Sequence, residues 1–510
     1  MSQNQDDQHK HNPIRVATKV VSRQLEIIIK KLYGNTHNFI IDIKSDDTIT
    51  ITNKITTTSK IIKVTKENLN SIQKPDKTWI DDLTNIVVDL QLLKHGLSDV
   101  SNKGLTNKWI VVFKSHVNCK CSLPKNIKVD HTYGSVINGI CCHACYHDLD
   151  KLVTEGLVEN FVVDQAVQIQ QNAPKKIITK DYLAKLYVQN SNTNSTIGQL
   201  SSQYISPYIY RVGANNSSQA SGNGTNPNPS LENRTDINVF VVDTGIAFHT
   251  DLNVVGGRNF SGGDVNAWQD GNGHGTHVAG IIGARDNHFG MVGIAPGVRL
   301  WSVRVLNNSG SGTISGVING LNWILANRNV LWKGNAIVNL SLGGGASSLL
   351  DAAVNTLINN GIPVVVAAGN SGQNAYFYSP ARVSNAITVG ATSPLPSYYL
   401  LASFSNYGTI VDILAPGTQI YSTYLRNMYA SISGTSMATP IVTGTVALML
   451  STVNVPGQGL TFCHNIRNIL VSVSAAYYLY NYNRTYSYNN RVYIPPGKYT
   501  TNINVWAGRY

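Results

Sequence analysis

A chain of 510 residues, 42% of them hydrophobic, is too long for one ordinary core and too apolar to stay unfolded, so two or three domains are expected. The formal net charge of +12 is spread over both halves, without the basic stripe or aromatic-interleaved patch that nucleic-acid binding needs, which argues against that class. No run approaches the ~20 consecutive apolar residues of a membrane span.

The start, MSQNQDDQHKHNPIRVATKV, is polar and lacks the apolar core of a secretory signal, so the compartment stays open between the cell of origin, a virion and export by another route. Residues 1–100 mix the β-prone TITITNKITTTSKIIKV with an amphipathic helical pattern from Trp79 to Leu93, and carry no recognisable chemistry. Residues 105–170 run from the strand KWIVVFK to the strand-like GLVENFVVDQAVQI and make a compact α+β unit. Five of the six cysteines fall there: Cys119, Cys121, Cys141, Cys142 and Cys145, with Cys463 alone near the end. Their spacing matches no standard zinc finger, so structural thiols are the favoured reading and zinc the alternative.

From 171 to 236 the composition loosens into NSNTNSTIGQ and GANNSSQASGNGTNPNPS, which reads as exposed linker or insertion. Asn216 and Asn223 open Asn-x-Ser/Thr triplets there, expected to be unmodified without a secretory signal. Beyond 236, buried-strand runs (INVFVVD, VRLWSVRVL, NAIVNLSL, IPVVVAAG, AITVGAT, TIVDILAPG) alternate with helix-like stretches. Near-continuous Val/Ile/Leu runs suit a parallel sheet covered on both faces, so residues 237–455 predict a doubly wound α/β domain. A Tyr-rich extension occupies 456–510.

In such a domain reactive groups collect where strands end and helices begin. INVFVVDTG ends a strand at Asp243; DGNGHGTHVAGIIGA carries His274 into a helix; SGTSMATP does the same for Ser436. A carboxylate, an imidazole and a hydroxyl are the three groups that activate a serine nucleophile. IPVVVAAGNSG adds Asn370, whose amide can donate to an oxyanion beside the Ser436 N–H. Rival readings of each piece fail. Aspartic proteases need a second Asp-Thr-Gly or Asp-Ser-Gly, and there is none. His274 and His277 lack the acidic signature of a zinc helix, and Gly434-Thr-Ser436-Met-Ala438 is no G-x-S-x-G elbow.

The order Asp, His, Ser, with VVDTG, GHGTHVAG, AAGN and GTSMATP, resembles the subtilisin-like serine proteases, on the proteinase K side, over residues 236 to about 455. The resemblance implies that Asp243 orients the base, His274 takes the proton, Ser436 attacks and Asn370 completes the oxyanion hole, while His249 and His277 are structural. It implies protein or peptide substrates lying extended along Gly310-Ser311-Gly312 and Ser341-Leu342-Gly343. With no acidic cluster nearby, broad cleavage after apolar or aromatic residues is expected. It implies no cofactor for the chemistry, and a structural calcium on Asp412 with the carbonyls of Ser384 and Ala386. Residues 105–170 resemble the family's inhibitor-like, ferredoxin-like prodomain, which would cap the cleft until self-cleavage near 165–175, where QQNAP resembles a mature amino terminus. Ile441 stands where the family usually has histidine. The rival class is a non-hydrolytic binding protein on the same fold.

Overall fold

The computed structural model describes residues 39–43, 48–53 and 59–63; residues 107–179 apart from 118–122, 125, 145 and 171; residues 203–216; and residues 234–505 apart from 235, 395–398, 483–491, 495–497, 499 and 502. The Trp79–Leu93 pattern, most of the Asn/Ser-rich stretch, Cys119, Cys121 and Cys145 lie outside the described residues. The chain divides into two compact units, one of residues 1–132 and 138–164, the other of residues 133–137 and 165–510.

The first unit contains an antiparallel meander of Phe39–Ile43, Thr48–Asn53 and Ser59–Lys63. It also contains a four-stranded antiparallel sheet in the order Lys128–Tyr133, Gly139–Ala144, Asn107–Phe113, Val158–Val163. With the helix Tyr146–Thr154 carrying the chain to the last strand, this is a ferredoxin-like strand order. Alternation along the central strand sends Trp109, Val111 and Phe113 into a core with Ile140, Cys142, Leu149, Leu152 and Val158. Cys141 and Cys142 are buried, and burial pushes the Cys142 thiol up to about 12. Among the described residues no group of three or more His, Cys, Asp or Glu converges as a metal site.

The second unit is built on a parallel sheet. Its order is Val254–Asn259, Arg299–Arg304, Ile237–Asp243, Asn335–Leu340, Val364–Ala367 and Ile387–Pro394. Ile413–Pro416 pairs parallel with the last of these, and Tyr399–Leu401 pairs antiparallel with it. Every residue of Ile237–Asp243 is buried, as a strand covered on both faces requires. The chain leaves that strand toward one side of the sheet and later continues on the other, so its carboxyl end lies at a topological switch point.

The strand Val254–Asn259 escapes the hydrophobic-run reading because Gly256 and Gly257 interrupt it. A Cβ on Gly257 would lie 2.4 Å from Ser302 O, so the strand approaches its neighbour at a distance only glycine permits. The helices His274–Gly283 and Thr435–Thr452 pack on each other, and the second lies along the sheet. Thr435–Thr452 is buried from its first residue to Leu450, which is why its sequence shows no amphipathic stripe.

Part of the stretch read as linker is folded into the second unit. Asn172–Ile178 is a strand paired antiparallel with Met428–Ser433, and Tyr204, Ile205, Tyr208, Ile209 and Val212 join the main core. Polar composition hid these anchors between Asn/Ser-rich runs.

Candidate active site

Asp243 closes its strand where Val305 N and Leu306 N both donate to its carbonyl, at 2.9 and 3.1 Å. Its Oδ1 accepts from Thr244 N and lies 2.7 Å from His274 Nδ1. Both side chains are wholly buried. That contact assigns the proton to Nδ1 and leaves Nε2 as the lone-pair nitrogen, which has no partner among the described residues.

Two local features bring the histidine so close. Gly275 packs backbone to backbone: a Cβ there would lie 2.1 Å from Gly245 O and 3.2 Å from Asp243 Oδ1. Asp270 ties the preceding turn, its Oδ1 accepting from Thr244 Oγ1, Asn272 N and Gly273 N, and its Oδ2 from Thr276 N and Oγ1. A buried carboxylate that takes up the free N–H groups at a helix start acts as its cap. Sequence reading passed over Asp270, although it opens the quoted DGNGHGTH.

Ser436 is the second residue of its helix and wholly buried. Pro440 cannot donate to the Ser436 carbonyl four residues back. That carbonyl instead accepts from Ser341 Oγ at 3.0 Å, within a buried chain that runs through Asn339 to Thr443. The Ser436 hydroxyl donates to Ser341 O at 2.9 Å, so it is turned onto the strand rather than onto His274 Nε2. Asn370 accepts from Thr435 N and Thr435 Oγ1 through its Oδ1, each at 2.9 Å, and its buried Nδ2 is left as a donor without a partner among the described residues.

The six residues expected to line substrate flank a strand of the chain itself. Ala166–Ile169 runs antiparallel between Ser311–Thr313 and Leu342–Gly345, with Val167 opposite Gly312 and Gln168 opposite both Ser311 and Gly343. Ile169 N donates to Gly310 O at 3.0 Å and Gln170 N to Ser341 O at 3.3 Å. The Gln170 carbonyl then accepts from Ser436 N at 3.1 Å. The remaining histidines are structural in their contacts. His277 Nε2 sits between Ile420 O and Ala430 O, and burial pulls its pKa down to about 3; His249 meets Met428 O, and burial pulls it down to about 4.

The calcium ligands inferred by resemblance do not fit a metal. Arg467, from the helix Gly459–Tyr482, lies with its Nε 3.4 Å from Asp412 Oδ1 and donates through its guanidinium to Ser384 O. Asp412 Oδ2 accepts from Thr388 N. A cation is thus already built into the chain between Asp412 and Ser384, and the ligand set at Asp412, Ser384 and Ala386 is corrected accordingly. A second, oxygen-rich cluster surrounds an amide group. Arg285 O, Met291 O and Asn287 Oδ1 all converge on Gln203 Nε2, beside the buried Asp251 carboxylate, which burial pushes up to about 7. Asp251 accepts from Asn287 Nδ2 and Met291 N, and Gln203 Oε1 is buried without a partner among the described residues. Several oxygens around one point are hard-cation chemistry. No short motif marks this cluster, because its members come from three separate stretches.

A parallel sheet with a buried Asp–His pair and a helix-start serine at its switch point defines a class, and the comparisons agree. The Peptidase S8 model, described as the subtilase family, matches residues 234–484. Subtilisin Savinase of Lederbergia lenta is 47% identical over 226 residues, 43% of this chain and 80% of that protein. Subtilisin DY of Bacillus licheniformis is 48% identical over 222 residues, 42% of this chain and 77% of that protein. An extracellular serine proteinase of a Thermus species is 50% identical over 221 residues, covering 42% and 50% of the two chains. The crystal structure of a cold adapted subtilisin-like serine proteinase is 36% identical and covers 56% of this chain and 99% of its own, at a TM-score of 0.45. The chain belongs to the subtilase family and is a serine endopeptidase.

Proposed function

We propose that this endopeptidase is made as a precursor that cuts itself after Gln170, with Asp243, His274 and Ser436 as its triad and Asn370 as an oxyanion donor. The observation that carries the reading is the Ser436 N–H bonded to the Gln170 carbonyl, with residues 166–170 strand-paired in the cleft. A rotation about χ1 takes the Ser436 hydroxyl from Ser341 O toward His274 Nε2, which accepts its proton as Oγ bonds to the Gln170 carbonyl carbon. The negative charge that forms on the Gln170 oxygen meets the Ser436 N–H and the Asn370 Nδ2. The C–N bond to Gln171 then breaks, and His274 hands its proton to the departing amine. Water, deprotonated by His274, hydrolyses the acyl-enzyme and frees Ser436. Asp243 holds the Nδ1–H tautomer throughout and offsets the imidazolium charge. Residues 105–170 act as the intramolecular inhibitor, their last residues filling the cleft. Proteins and peptides are the substrates in trans. The Gln203, Asp251 and Asn287 cluster is the place for a structural calcium, which lends stability and takes no part in the chemistry.

The test is the chain beside its Ser436→Ala variant on a denaturing gel, with amino-terminal sequencing of the product. Shortening in the parent alone, with a new terminus at Gln171, is expected. If both stay full length and a fluorophosphonate fails to label the parent, the triad is idle and the fold serves binding alone.

A further inference from the structure

We propose that the cleft selects glutamine at the residue before the cut bond, in a frame with apolar residues two and four positions before the cut. The proposal rests on the self-cleavage reading above and adds a substrate class to it, glutamine-terminated extended segments of the type Val-x-Ile-Gln.

The half-buried Gln170 side chain lies between two stretches of backbone without side chains. Its Nε2 donates to Gly343 O and to Gln168 O, each at 3.3 Å. A Cβ on Gly343 would stand 3.5 Å from Nε2, and one on Gly369 would stand 3.6 Å from Oε1. The amide is therefore in contact with glycine backbone at both its ends. The cleft offers this side chain one carbonyl oxygen, that of Gly343, and the second acceptor, Gln168 O, belongs to the segment being cut: an NH2 group bonds both, a carboxylate is repelled by both, and an alkyl or aryl group bonds neither. Ser341, Leu342, Gly343, Ala367, Ala368 and Gly369 bring no ionisable side chain to balance a charge.

The residues upstream set the frame by strand alternation. Val167 is buried, with its Cγ1 3.5 Å from where a Gly344 Cβ would lie, and Ile169 packs its Cδ1 against Gly310, where a Cβ would come within 2.8 Å. Ala166 and Gln168 point outward and are exposed. Apolar preference thus falls on the second and fourth positions. The first takes an amide rather than the apolar or aromatic residue expected from the family resemblance.

The processed enzyme is assayed on quenched peptides Val-Gln-Ile-X-Gln-Asn with X as glutamine, glutamate, leucine or phenylalanine, beside fluorophosphonate labelling of the same sample. A site built around hydrogen bonds to one polar group rejects its analogues strongly. We expect kcat/KM for glutamine at least about 10-fold above leucine and phenylalanine, and about 100-fold above glutamate. A glutamine peptide less than tenfold ahead of any other, or uncut while Ser436 is labelled, overturns the selectivity and leaves the protease reading standing. Absence of both label and cleavage overturns both.

Discussion

His277 gives the sharpest link between burial and behaviour. Its Nε2–H is shared by the carbonyls of Ile420 and Ala430, and its Nδ1 is buried with no hydrogen-bond partner among the described residues. Protonating Nδ1 would create a buried cation with an unsatisfied N–H, so the native chain refuses the proton down to about pH 3. The unfolded chain takes it up near 6.5. Below that value the unfolded state binds more protons than the native state, so stability falls as pH falls, continuously from about 6.5 to about 3. Each pKa unit is worth about 1.4 kcal/mol, and the two units between 6.5 and 4.5 amount to about 3 kcal/mol from this one group. The measurement is urea unfolding at pH 7 and pH 4.5 for the Ser436→Ala chain, with and without His277→Gln, which keeps a donor for the two carbonyls. Other groups, including the depressed His249, are common to both chains and cancel in the difference. The parent should lose about 3 kcal/mol more than the variant on acidification. Equal losses in the two chains would refute the reasoning.

Three further outcomes are expected. Asn370→Ala should lower melting modestly, because Thr435 N and Oγ1 lose their acceptor, and lower turnover about 10²–10³-fold, a magnitude carried over from the oxyanion asparagine of the related subtilisin. Gly275→Ala forces a Cβ to within 2.1 Å of Gly245 O, a backbone clash worth about 3 kcal/mol. Circular dichroism and the gel should show a destabilised chain that no longer cuts itself, and near-parental stability with normal cutting would contradict the packing argument. Chelator should lower the melting temperature of the Ser436→Ala chain but not after Asp251→Asn. Arg467→Met should cost about 1 kcal/mol without changing the chelator response, and a chelator response that survives Asp251→Asn would overturn the assignment to the Gln203, Asp251 and Asn287 cluster.

Much of the site was legible because its chemistry constrains neighbouring backbone. The glycine next to His274 and the Gly-Thr before Ser436 stand in the sequence as short motifs, and the carboxyl end of INVFVVD marks Asp243 as a strand-end residue. What escaped depends on contacts between distant stretches. Arg467 reaches Asp412 and Ser384 only once the last long helix has folded back, and no local pattern announces that pairing. Gln203, Asp251, Asn287 and Met291 meet the same way. Val254–Asn259 was hidden by the very glycines that let it pair, and Asn172–Ile178 by the polar runs around it. The fold class, by contrast, rests on hydrophobic runs that each strand carries within itself.

The strand Asn172–Ile178, laced along Met428–Ser433, has a consequence for the direction of the reaction. If the chain is cut after Gln170 as proposed, the residues of that strand paired with Met428–Ser433, Asn172 and Lys176–Ile178, would hold the new α-amine near the ester it had just left. A tethered amine at high effective molarity competes with water for the acyl group. Scission and resealing would therefore exchange repeatedly within one molecule. On the proposed reading, net maturation would be governed by how fast that strand peels from its neighbour, which would make the pairing of Asn172–Ile178, rather than the triad, the clock of the precursor.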